Sequence, residues 1–211
     1  MKETVEPTAA TMRLDGGHPA LDLVNTVYGQ VGGPVEHDVL RDPADLVVLA
    51  ERMGLVEGSV EGGEPALRAA RELRTGLDAL LRAQLAGTAA PPAAADRLAE
   101  RMRAAYAAAR LARVPGGWQW TWPPDDADTP VHRLALAAVG LLTDGAELAR
   151  LRCCAGCCWL YLDHSRGSGQ RGRADHGVRL TRSRRRCTYR RFLAFVPQSA
   201  IEHQRRPAPR E

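Results

Sequence analysis

Four of the five cysteines in this 211-residue chain fall within six residues, at Cys153, Cys154, Cys157 and Cys158. Nothing before them carries a thiol. The long N-terminal part must therefore fold by burying apolar side chains, with neither disulfide nor thiolate-bound metal to staple it. Cys154 and Cys157 make a C-x-x-C around Gly156. Two thiolates at that spacing on a tight turn can hold one side of a tetrahedral zinc. Cys153 with Cys157, or Cys154 with Cys158, are alternative registers. The Cys154/Cys157 pair leaves the apolar run Trp159-Leu160-Tyr161-Leu162 to begin directly after the knuckle.

The chain is long enough for one main domain and a small appendage. With 45% hydrophobic and 26% charged residues it has a globular composition. The start, Met1-Lys2-Glu3-Thr4-Val5-Glu6, has no apolar signal core, and no run is long enough to span a membrane. Together with an odd number of cysteines this predicts a cytoplasmic protein whose thiols are free or metal-bound.

Helical periodicity dominates the first 148 residues. Gly16-Gly17-His18-Pro19 reads as a turn, and Leu21 and Val24 after it keep helical spacing. Asp22, Asn25 and Thr26 are polar residues inside that apolar segment. They either cap and bond backbone in the core or form a small effector pocket. Residues 29–42 read as a loop. Asp42-Pro43 starts a helix to about Met53, with Leu46, Leu49 and Met53 inward. Pro65 opens the longest helix, to about Leu85. There Leu67, Ala70, Leu73, Leu77, Leu80 and Leu81 keep a 3.6-residue period while Arg68, Arg71, Glu72 and Arg74 are expected to face water. An alanine-rich helix follows from Pro91-Pro92 through Ala112, with Leu98, Met102 and Tyr106 as its stripe. Trp118, Trp120 and Trp122 alternate with polar residues, the period of a strand. No basic residue interleaves them, which favours a lid over the helical core above a base-stacking platform. Thr129-Pro130 starts a last helix, with Leu134, Ala138, Leu141 and Leu142 inward, and His132 on it reads as a partly buried polar residue.

Charge divides the chain. Residues 1–150 carry 15 basic and 21 acidic side chains, net −6; residues 151–211 carry 14 and 4, net +10. Such a basic end binds phosphate backbone through counterion release, or else is a solvated tail. No phosphate loop, H-E-x-x-H or G-x-S-x-G is present, so an enzyme is not expected.

The string Cys154-x-x-Cys157-x-Trp159-Leu160-Tyr161-Leu162-Asp163-x-Ser165-Arg166 resembles the first half of the CGNR-type zinc finger, a bacterial family of transcription regulators. The second half departs from the pattern. Arg184-Arg185-Arg186-Cys187 echoes its arginines and third cysteine, but no tryptophan precedes Cys187 and no C-G-N-R follows. Upstream, the Gly16-to-Thr26 string is similar to the opening of the ABATE domain, the stress-induced transcription regulator module that usually accompanies this finger.

The resemblance implies zinc on Cys154, Cys157 and Cys187, with His176 the best candidate for the fourth ligand and Cys153, Cys158 or His164 behind it. Either His176 and Cys187 rebuild the finger, or the site is defective. The fold expected is mainly α. A helical regulatory domain with a small β element spans 12–148, a short zinc-finger-like module 150–192 and a flexible tail 193–211. The function implied is DNA binding by a transcription regulator, with Arg166, Arg171, Arg173, Arg179, Arg182, Arg184, Arg185 and Arg186 on the phosphates and a small-molecule effector as a possible second partner. The alternative is a small-molecule-binding or thiol-redox-sensing protein with a defective finger and no nucleic acid.

Overall fold

A computed structural model of the chain describes residues 6–29, 35–57, 60–123, 125–154 and 158–165. Among the described residues the architecture is mainly α with three small antiparallel strand pairs. In chain order the elements are α1 (Pro19–Val24), β1 (Val27–Gly29), β2 (Val35–Asp38), α2 (Pro43–Arg52), α3 (Glu64–Ala86), α4 (Pro92–Ala108), β3 (Arg110–Val114), β4 (Gly117–Thr121), α5 (Thr129–Thr143), α6 (Gly145–Leu148), β5 (Leu151–Cys153) and β6 (Leu160–Leu162). Among the described residues no helix is long and apolar enough to cross a membrane.

The periodic helices stand where their apolar spacing places them. Asp42 caps α2 in a reciprocal box with Asp45: each carboxylate accepts from the other residue's N–H, at 3.0 and 3.3 Å. Leu67, Ala70, Leu73, Leu77, Leu80 and Leu81 are the buried stripe of α3. Helix α5 lies among α1, α3 and α4 and buries Val131, Leu134, Ala135, Ala138 and Leu141. All six residues of α1 are buried, as befits a short helix surrounded by others.

Four expectations are corrected. Residues 29–42 are not all loop, because Val35–Asp38 pairs with Val27–Gly29. A four-residue strand carries too little alternation to announce itself. The alanine-rich helix ends at Ala108 and not Ala112. Ala109 turns extended (φ −77°, ψ 154°) and Arg110–Val114 pair residue for residue with Gly117–Thr121. Tertiary pairing there overrides a weak helical preference. Arg74 does not face water. It is buried, donating to both Asp38 carboxylate oxygens at 2.7 Å and to Thr26 Oγ1 at 2.8 Å. In this row Trp122 closes over the helices. Its Nε1 donates to the Ala105 carbonyl at 2.8 Å and Arg133 lies over its ring at 4.6 Å. Trp118 and Trp120 point outward.

The cysteine-bearing hairpin shares the core of the helices. Leu151, Leu160 and Leu162 are buried in one apolar cluster with residues of α1, α3 and α5. The outer edge of β6 is covered by the segment around α1. Leu160 N–H donates to Asn25 Oδ1 at 2.9 Å and its carbonyl accepts from Asn25 Nδ2 at 2.8 Å. Leu162 N–H donates to the Gly16 carbonyl at 3.0 Å. An edge strand that would otherwise present unpaired groups is thereby closed.

Asn25→Ala leaves two buried backbone groups of Leu160 without partners. The expected loss is about 2–4 kcal/mol of stability, read from urea denaturation, with faster hydrogen exchange at the Leu160 amide. A loss under about 0.5 kcal/mol, the range of ordinary surface changes, would show that the side chain does not hold the hairpin.

Candidate functional site

The residues that flank the cysteine turn, Cys153 and Cys154 on one side and Cys158 and Trp159 on the other, are fixed from two directions. Cys154 N–H donates to the Trp159 carbonyl at 2.8 Å, and Cys158 N–H donates to the Cys154 carbonyl at 2.9 Å. Cys158 sits at φ 59°, a left-handed conformation uncommon outside glycine. From α3, Arg82 donates to the Cys158 carbonyl at 3.2 Å and to Cys153 Sγ at 3.8 Å. Asp78, one turn earlier on α3, holds that guanidinium at 2.8 and 2.9 Å. From β1, Tyr28 meets Trp159 edge-on with ring centroids 5.0 Å apart.

A half-buried Cys154 suits one arm of a thiolate knuckle. Cys153 is differently placed: its thiol donates to the Cys158 carbonyl at 3.4 Å and meets Arg82. Cys157, His176 and Cys187 lie outside the described residues, as do Arg166, Arg171, Arg173, Arg179, Arg182, Arg184, Arg185 and Arg186. His164 is described. Its Nε2 lies 3.5 Å from Glu147.

Asp22 within α1 and Asn25 and Thr26 just after it are all buried, with their side chains bonded to different parts of the protein. Asp22 Oδ1 accepts from Gly16 N–H at 2.9 Å. A Cβ at Gly16 would stand 2.8 Å from Leu21 Cβ and 3.0 Å from that carboxylate, so only glycine allows the approach. Asn25 holds Leu160. Thr26 Oγ1 donates to the Leu23 carbonyl at 2.7 Å and accepts from Arg74.

One group of potential metal ligands was not legible in the sequence. Asp126, Asp128 and His132 bring a carboxylate oxygen each and a ring nitrogen within 4.8 Å of one another, and could hold a metal ion. Asp126 Oδ1 also accepts from Asp128 N–H at 3.0 Å, and Asp126 Oδ2 lies 3.6 Å from His132 Nε2. The D-x-D-x-x-x-H spacing was the available signal. It has meaning only once Asp128 stands at the helix start and His132 falls one turn inside.

These features define a helical domain that grips a short cysteine-bearing hairpin. The chain belongs to the ABATE family, described as "Putative stress-induced transcription regulator", whose sequence profile matches residues 17–145. None of the curated proteins matches the chain. The matched span holds the Asp22–Thr26 cluster and Arg74, and ends before the first cysteine.

At the head of that span, His18 caps α1. Its Nδ1 accepts from Ala20 N–H at 3.2 Å. Burial lowers its pKa from an ordinary 6.5 to about 4, partly opposed by the charge of Asp144. Above pH 6.5 neither folded nor unfolded chain protonates this ring. As pH falls from 6.5 to about 4 the unfolded chain takes up the proton and the folded chain does not, so stability is lost across that window. The loss approaches about 3 kcal/mol at the acid end. His18→Asn keeps a capping oxygen and should flatten this part of the pH profile, compared by urea midpoints at pH 7 and pH 4.5. An identical acid loss in the variant would assign the effect to other groups.

Proposed function

We propose that this protein is a DNA-binding transcription regulator whose arginine-rich C-terminal segment contacts phosphates. Membership of the ABATE family carries the reading. The charge division supports it: the net −6 body is joined to a net +10 end rich in arginine and poor in acid. Arg166, Arg171, Arg173, Arg179, Arg182 and Arg184 to Arg186 are assigned to phosphate contacts, which position a protein on DNA without reading bases. Cys154, Cys157, His176 and Cys187 are the ligand set for a zinc that would order this segment. Asp22, Asn25 and Thr26 are the point where an effector would act, by competing for the bonds to Leu160 and Arg74. No catalytic role and a cytoplasmic location complete the proposal.

A second reading, a thiol-redox protein without nucleic acid, draws on the Arg82 guanidinium beside Cys153. Salt separates the two. The regulator loses DNA affinity steeply with rising salt, whereas flat or absent binding at low salt favours the thiol protein. Replacing Arg184, Arg185 and Arg186 by Ala should weaken binding to all duplex sequences about equally and flatten the log–log salt slope by roughly 2–3 units. A loss confined to one sequence would count against phosphate contacts. Metal analysis of protein purified without chelators decides the finger. One tightly held zinc, lost on Cys187→Ser and His176→Ala, marks a rebuilt site. Absent zinc, with the chain after Arg166 open to protease, marks a defective one.

A further inference from the structure

The β3–β4 hairpin leaves an aromatic face uncovered. Trp118 is 63% exposed, Leu111 54%, Trp120 46% and Tyr106 45%. The register sets Trp120 opposite Leu111 and Trp118 opposite Arg113, so these four side chains share one face of the ribbon. Tyr106, on the last turn of α4, meets Trp120 edge-on with centroids 5.5 Å apart. Arg103 stands three residues before Tyr106 and so on the same side of that helix. The stripe therefore runs from Arg103 through Tyr106, Trp120 and Trp118 to Arg113, a cation at each end and rings between.

Those cations are available. Arg103 and Arg113 are exposed and make no ion pair among the described residues, whereas neighbouring Arg101 meets Glu72 at 3.4 Å. Residues 101–122 contain four arginines and no acidic residue, inside a half-chain that is net negative. The hairpin is held in place from behind by Trp122 on Ala105 and Arg133, so the outer rings are not needed to fasten it.

We propose that this face binds single-stranded nucleic acid, a site separate from the C-terminal arginines. Trp118 and Trp120 project from alternate residues, about 7 Å apart along the strand, as two separate platforms and not one continuous apolar wedge. Unpaired bases offer π-faces to such platforms, and the flanking arginines take the phosphates. A duplex keeps its base faces stacked inside and can use the arginines alone. A second copy of the chain is a poorer partner: two such faces meeting would bring arginines together with no carboxylate from residues 101–122 to offset them.

The full chain is titrated against labelled oligo(dT), oligo(U) and a mixed-sequence duplex by fluorescence anisotropy, with intrinsic tryptophan emission followed in parallel. Single strands should quench the emission. The double variant Trp118→Ala, Trp120→Ala should bind both single strands about tenfold or more weakly, with duplex binding and thermal midpoint unchanged. Arg103→Gln with Arg113→Gln should lower the single-strand salt slope by roughly 1 to 2 units. The oligo(dT) and oligo(U) arms show whether DNA, RNA or both are taken. Trp118→Ser alone, at the most exposed ring, serves if the double variant does not fold. The same tryptophan changes in a chain carrying Arg184→Ala, Arg185→Ala and Arg186→Ala separate this face from the C-terminal segment. Equal losses on duplex and single strands, or no loss, would overturn the inference and leave the DNA-binding proposal standing. A concentration-dependent dimer, or binding to anionic vesicles, abolished by the tryptophan changes while single-strand binding persists would reassign the face.

Discussion

The paired hydrogen bonds between the Asn25 amide and the backbone of Leu160 join parts of the chain 135 residues apart. A side-chain amide has the donor and acceptor of a peptide group, so Asn25 serves β6 as a neighbouring strand would. The bonds are buried, which raises what is lost when either partner is removed. Beside them, Gly16 accepts from Leu162 with its carbonyl and donates its N–H to Asp22. The polar residues around α1 are thus a fastening for the hairpin. The position of the cysteine turn follows from this edge, with Arg82 and Tyr28 fixing its far side.

A second buried network ties the other flank of α1. Arg74 emerges from the middle of α3 with a bidentate grip on Asp38 at the end of β2 and a third bond to Thr26. A charged guanidinium costs much to desolvate and is tolerated here because its partners form a matched fork. Arg71, one turn closer to the start of α3, donates to the Leu40 carbonyl just after that strand. The β1–β2 pair is consequently held to α3 by arginines on two successive turns. Asn25 and Thr26 are adjacent, so a change in the end of α1 is felt both by the hairpin that bears the cysteines and by this ion pair. An effector acting here would have to exchange bonds already made, since Asp22, Asn25 and Thr26 are buried and engaged.

The helices were legible because their information is local. Leu67 to Leu81 repeats every three or four residues whatever surrounds it, and Asp42-Pro43 marks a start by its own chemistry. Arg74 lies in the same helix and was assigned to water by the same logic. Its burial depends on Asp38, which arrives from a strand too short to show in the pattern. The same gap separates the two possible meanings of Asp22, Asn25 and Thr26. Polar residues in an apolar segment demand partners, but the principal partner of Asn25 is Leu160, and no period links residues so far apart. The convergence of Asp126, Asp128 and His132 likewise depends on the turn that places two of them ahead of or at the start of α5.

The tryptophan row shows how a correct local reading can miss what stands on the paired strand. The alternation at Trp118, Trp120 and Trp122 does mark a strand, but the segment itself holds no cation. In an antiparallel ribbon the neighbour of a side chain is cross-strand, not the next in sequence. Arg113 is supplied by β3, through a pairing hidden inside what looks like the end of an alanine-rich helix. Once Ala109 turns the chain extended, Arg113 faces Trp118 and Leu111 faces Trp120. The character of that surface changes from a lid to an open aromatic and cationic face. Four residues of helix exchanged for strand decide it, because only the strand pairing sets Leu111 and Arg113 directly across from Trp120 and Trp118.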